Sequence, residues 1–155
     1  MKKMHAFCKA LQEATGIPRE ELQAFAEDSD LALTGRDLGH GVEVGLIKYQ
    51  LVVHIEDYAG SGLPLLAFTA AWLADNDPER HEQGLKDPDV DIDGNDGRSV
   101  DIHIAIDFEE AIEIVPEEEG PITFDGRQWK VIDVPIDVAT DLVDLKKGAP
   151  EEPDE

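Results

Sequence analysis

Two long alternating runs with an apolar helix between them constrain this chain more than any other feature. Tyr49, Leu51, Val53 and Ile55 alternate with Gln50, Val52, His54 and Glu56. Tyr58-Ala59-Gly60-Ser61-Gly62 breaks the run, and Leu63-Pro64-Leu65-Leu66-Ala67-Phe68 opens an apolar helix through Trp72 and Leu73. After a polar loop, Val100, Ile102, Ile104, Ile106 and Phe108 alternate with Asp101, His103, Ala105, Asp107 and Glu109. A period of 2, then about 3.6, then 2 again predicts a sheet face covered by a helix. No catalytic constellation sits in the block at 49–115, so the chain is expected to work through its surfaces.

The neighbouring segments extend this plan. Met4, Phe7, Cys8 and Leu11 share one helical face, and Gly16 is a natural stop. Pro18 can open a second short helix through Glu27, with Leu22, Phe25 and Ala26 buried. Leu31 and Leu33 flank Ala32 in a short extended piece, and 35–41 read as a loop. A strand starts near Val42, and its parity switches at Gly45, where a bulge is expected. The second alternating run reaches Ile114 with one exception, Glu110. Asp125-Gly126 predicts a type I′ hairpin turn between 122–124 and 128–132. Residues 136–145 read as a short helix or an extended arm.

Together these predict an α+β fold. A mainly antiparallel sheet is built from 42–56, 100–115 and the 122–132 hairpin, with the N-terminal and 63–75 helices on one face. One domain spans 1–147, followed by an acidic disordered tail at 148–155. Trp72 and the apolar strand positions form its core.

Charge narrows the choice of partners. The chain of 155 residues has 36 acidic and 13 basic side chains, for a formal charge of -23. Such a field repels phosphate backbones and anionic membranes, so direct nucleic-acid and membrane partners are disfavoured. Cys8 is the sole cysteine, which rules out an internal disulfide and fits a reducing compartment. It sits on an apolar helical face, where a buried thiol is expected rather than a nucleophile. No signal peptide or membrane span is visible, and a cytosolic location is expected.

The chemical motifs fail on spacing. Asp89-Val90-Asp91-Ile92-Asp93-Gly94 imitates the start of a calcium loop, but the position that needs a bidentate glutamate falls on Val100. The 89–96 segment is expected to be a connection of solvated acids. His54-Ile55-Glu56 lacks the paired cysteines of a zinc deaminase. His81-Glu82 would need its second histidine at Leu85. His103 reads as a surface histidine. Gly60-Ser61-Gly62 is a flexible turn, and no lysine follows the glycines at 35, 39 and 41 in phosphate-loop spacing. No catalytic residue, metal or cofactor is expected.

The order of these pieces resembles a known family. Tyr49-Gln50-Leu51-Val52-Val53, the Asp57-Tyr58-Ala59-Gly60 turn, Leu63-Pro64-Leu65-Leu66-Ala67, Trp72-Leu73 and Asn76-Asp77-Pro78-Glu79-Arg80 follow the gene R tail completion proteins of P2-like contractile-tailed phages. So do Val90-Asp91-Ile92, Asp101-Ile102-His103-Ile104 and, upstream, Pro18-Arg19-Glu20-Glu21-Leu22 and Ala32-Leu33-Thr34-Gly35. The resemblance covers roughly residues 1–115. It implies a structural, non-enzymatic role at the head-proximal end of the tail, with a tail-terminator-like fold. It implies a homo-oligomeric ring, often hexameric, that meets tail tube and neck proteins. The locations implied are the virion tail and the host bacterial cytoplasm during assembly.

Within that role the scarce cations are expected to matter at contacts, and Arg36, Lys48 and Arg80 are the candidates, each in a loop or on a polar side. The alternative reading is a small acidic metal-binding module or enzyme built on the 89–96 cluster.

Overall fold

The computed structural model describes residues 1–132 apart from Asp96. The arm expected at 136–145 and the tail at 148–155 lie outside the described residues. In chain order the elements are α1 (Lys2–Thr15), β1 (Leu22–Asp37), β2 (Val42–Ala59), α2 (Leu63–Asn76), β3 (Asp89–Asn95), β4 (Ser99–Pro116), β5 (Ile122–Phe124) and β6 (Arg127–Val131). The strands form one antiparallel sheet in the order β1-β2-β4-β6-β5, with β3 also on β4. This is the expected α+β architecture, with both helices on one face.

The core follows from strand parity. Tyr49, Leu51, Val53 and Ile55 pair with Phe108, Ile106, Ile104 and Ile102, and all eight are buried beneath the helices. Met4, Phe7, Cys8 and Leu11 enter from α1, and Leu65 and Leu73 from α2. Phe7 stands edge-on to Trp72 at 5.3 Å, and Trp72 to Phe108 at 6.5 Å. Trp72 is half-buried rather than central: it packs against the core and closes its rim.

Two local expectations are met by particular atoms. The register of β2 on β4 shifts between Glu43 and Gly45. A Cβ on Gly45 would lie 2.8 Å from the Ala32 carbonyl oxygen, so the close strand approach there requires glycine. Asp125 and Gly126 both take positive φ, 54° and 79°, as a type I′ turn demands.

Three expectations are corrected. The helix at 18–27 is a single 3-10 turn, Arg19–Glu21, followed by strand β1. Leu22, Phe25 and Ala26 fit helical spacing, but Leu22, Ala24 and Ala26 fit a strand, and pairing with the edge of β2 decides between them. The loop expected at 35–41 shrinks to the hairpin turn after Asp37, closed by a bond from the Leu38 N–H to the Gly41 carbonyl at 2.8 Å. The connection expected at 89–96 is strand β3 from Asp89 to Asn95, paired residue for residue with β4. Alternation of Asp with Val90 and Ile92 suits a sheet edge better than a loop.

Candidate functional site

Length decides which part of this sheet can be covered. β2 and β4 each have 18 residues, or roughly 60 Å at about 3.3 Å per residue. α1 and α2 each have 14 residues, or about 21 Å. The helices pack against each other, so they cover the same part of the sheet. The remainder runs on without them.

That distal region is built from the ends of β1, β2 and β4 with the β5–β6 hairpin. On the helix side, Leu31 pairs with Ile47, Leu33 with Gly45, and Ile114 with Val131. Leu31 is 62% exposed and Leu33 83%. Met1, Ile47, Ile112, Val131 and Ile132 line a cavity of about 330 Å³ beside the start of α1. Among the described residues Ile114 is buried here, and the far corner has its own cover, where Trp129 is buried against Phe124 and under Arg127.

A polar clamp marks where the covered region ends. The Lys2 and Lys3 backbone N–H groups donate to the two carboxylate oxygens of Glu110, both at 2.8 Å. The Tyr49 hydroxyl also donates to Glu110 and accepts from the Met4 N–H at 3.1 Å. A carboxylate from β4 thus satisfies N–H groups at the start of α1 that the helix itself cannot, and meets the positive end of its dipole. Burial first, and then the Glu110 charge, push the Tyr49 hydroxyl well above the ordinary tyrosine range. Alongside, Lys3 Nζ meets Asp77 Oδ1 at 2.6 Å and the Glu109 carbonyl at 3.0 Å.

The three candidate cations part company here. Arg80, expected on a polar surface, is 5% exposed and part of the interior. Its guanidinium donates to Asp77 Oδ2 at 2.7 Å, to the Asp107 carbonyl at 3.1 Å and to the Lys86 carbonyl at 2.7 Å. It ties the 77–88 segment to α2 and β4, so the surface placement is corrected. Arg36 stands near the tip of the β1–β2 hairpin, bonded to the buried Glu43 carboxylate at 3.1 Å, with most of its side chain in solvent. Lys48 is exposed on the face away from the helices, in register between Asp30 and Glu109. The structure therefore does not gather Arg36, Lys48 and Arg80 into one site.

Sequence reasoning passed over the apolar residues that distinguish this region. Leu31 and Leu33 were visible as an extended piece, and their parity was the available signal. Glu110 announced itself as the break in an apolar run.

The residues weighed for chemistry find structural settings. Cys8 is buried, and burial pushes its thiol up to about 12. His54 and His103 face each other across β2 and β4 at 5.6 Å between ring centres. Asp89, Asp91 and Asp93 lie along a strand rather than around a loop, and among the described residues no three metal-capable side chains converge. No helix among the described residues is long and apolar enough to cross a membrane.

Comparison with known proteins gives these surfaces a context. An uncharacterised 19.2 kDa protein from the rep-hol intergenic region of Haemophilus phage HP1 (strain HP1c1) is 25% identical over 123 residues, which is 77% of this chain and 74% of the relative. No solved structure gives a significant match. The model of the P2 phage tail completion protein R (GpR) family matches residues 1–133, which spans the whole described fold. The chain belongs to the P2 phage tail completion protein R family.

Proposed function

We propose that this protein completes a contractile phage tail at its head-proximal end, as a non-enzymatic assembly protein with tail-terminator architecture. Copies assemble into a ring, six in the arrangement most often found for such proteins, and the ring meets tail tube and neck proteins. Assembly takes place in the host cytoplasm, and the product remains in the virion tail.

The observation that carries this reading is the sheet that outruns its helices. A folded monomer gains nothing by holding Leu31 and Leu33 in water, and contiguous exposed apolar surface marks an interaction site. The acidic charge of -23 requires that copies meet through such apolar surface or through the few cations, because like charges repel over roughly 8–10 Å at physiological ionic strength. Arg36 and Lys48 supply exposed positive charge at the hairpin tip and on the open face. Arg80 contributes indirectly, by fixing the 77–88 segment.

The test is a double variant, Leu31→Asp with Leu33→Asp. It is expected to fold and to lose ring formation and tail joining, measured by oligomer mass with purified tail tubes and by electron microscopy of tails. A variant that completes tails as well as the parent would sink the reading.

A further inference from the structure

Strand β3 presents a second unfinished surface, at the opposite flank of the covered region. It pairs with β4 from Asp89 to Asn95, and among the described residues no strand lies along its other side. An open edge is a template for another strand, and proteins usually blunt it. Here it is left next to apolar surface. Val90 and Ile92 point to the helix side and are 44% and 37% exposed. Leu63, at the start of α2, is 69% exposed, and Ile92 Cδ1 reaches within 3.0 Å of where a Cβ on Gly62 would stand. Beside Val90, between α2 and the 77–88 segment, opens a cavity of about 540 Å³ lined chiefly by Leu66, Ala70, Leu73 and Pro88. Thr69, His81, Asp87 and the Asp77–Arg80 pair, closed at 2.7 Å, also line it.

The opposite side of the same strand has different chemistry. Asp89, Asp91 and Asp93 all face away from the helices, in register with Ala105, His103 and Asp101. A strand laid on the β3 edge therefore meets apolar surface with one set of alternate side chains and carboxylates with the other.

We propose that the β3 edge takes an extended segment of a partner protein as an added strand, one in which apolar and basic residues alternate. Main-chain hydrogen bonds hold the segment, the cavity beside Val90 and the Leu63–Ile92 surface receive its apolar side chains, and Asp91 and Asp93 select the basic ones, Asp89 being already paired with Lys86 Nζ at 2.8 Å. Charge and length decide against a second copy of this chain as the occupant. Among the described residues the other open edges are β1, which carries Glu27, Asp28 and Asp30 and would oppose acids with acids, and β5, which at three residues is too short to lie along β3. This proposal rests on the reading of the chain as an assembly protein and adds the chemistry of one partner.

The full chain can be tested with a labelled, end-capped peptide of about nine residues alternating valine and lysine. A second peptide carries N-methyl groups on alternate amides, which removes one edge of hydrogen bonds and leaves the charge intact. Expected results are binding of the first peptide, slowed amide exchange within 89–95, and binding of the methylated peptide weaker by roughly tenfold or more. Ile92→Lys should weaken the first peptide similarly. Asp91→Asn with Asp93→Asn, which leaves the edge intact, should weaken it less and reduce its salt dependence. Equal binding of both peptides would mean charge attraction alone and overturn the proposal. So would protection at β1 instead of β3, self-association that Ile92→Lys abolishes, or no binding at all. Peptide binding and tail completion are read separately, so failure here leaves the ring reading standing, and failure of Leu31→Asp with Leu33→Asp there leaves the peptide result intact.

Discussion

The same two strands behave differently at their two ends. Under the helices, Ile102, Ile104, Ile106 and Phe108 are fully shielded. A few residues along β4, Ile112 is only half-buried, and across the sheet Leu33 is almost fully exposed. The alternation of apolar and polar residues is alike in both regions. Period 2 reports that a segment is a strand with two unlike faces, but not what covers the apolar one. Cover is set here by the length of two helices. Where they stop, Leu31 and Leu33 stand in water among the described residues.

The contrast can be broken or sharpened by experiment. Ile104→Asp places an unpaired charge in the covered region and should abolish folding or cost more than about 4 kcal/mol, read as a collapsed denaturation midpoint. A folded, stable Ile104→Asp protein would remove the distinction between the two ends.

Alkaline pH should probe the covered region next. In the unfolded chain the Cys8 thiol ionises around its ordinary value of 9.0, while burial holds the proton in the folded chain until about 12. Between those values the folded state binds the extra proton, so stability is intact below pH 9 and falls as pH rises, by about 1.4 kcal/mol per pH unit. Tyr49 adds a loss of the same sign above its ordinary value of 10.0. Cys8→Ala should remove the loss between pH 9 and 10, as measured by urea midpoints across that window.

At the boundary, Glu110→Ala removes the partner of two α1 N–H groups and of the Tyr49 hydroxyl. A destabilisation of about 1–2 kcal/mol is expected, with faster hydrogen exchange at the start of α1. The smallest stability effect belongs to Leu33→Asp, within about 0.5 kcal/mol, because that side chain is already in water. A large drop in its midpoint would show that the distal face is covered within the monomer.

These effects also show how far the sequence could be read. The long strands, α2 and the Asp125-Gly126 turn were legible because periodicity and turn chemistry are local. The segment at 22–27 was misread because alanine is silent between the two periods, and the edge of β2 supplied the decision from far along the chain. The aspartates at 89–93 looked like a loop by composition, although their spacing was that of a strand. For the candidate site, Leu31 and Leu33 were readable as apolar but not as exposed, since exposure depends on where α1 and α2 end in space. The burial of Arg80 was equally hidden: its acceptors at Asp107 and Lys86 are backbone carbonyls, which carry no sequence signal.

The bond between Lys2 and Glu110 spans 108 residues. On a ribosome working at about 5–20 residues per second, the first helix waits roughly five to twenty seconds for the carboxylate that anchors it. Short helices are marginal alone in water. The newborn chain therefore carries Met4, Phe7 and Leu11 without the full cover of the sheet until β4 has emerged. A factor that shields emerging apolar segments would act on this protein at its beginning, and a pause in translation shortly before residue 110 would lengthen that exposure.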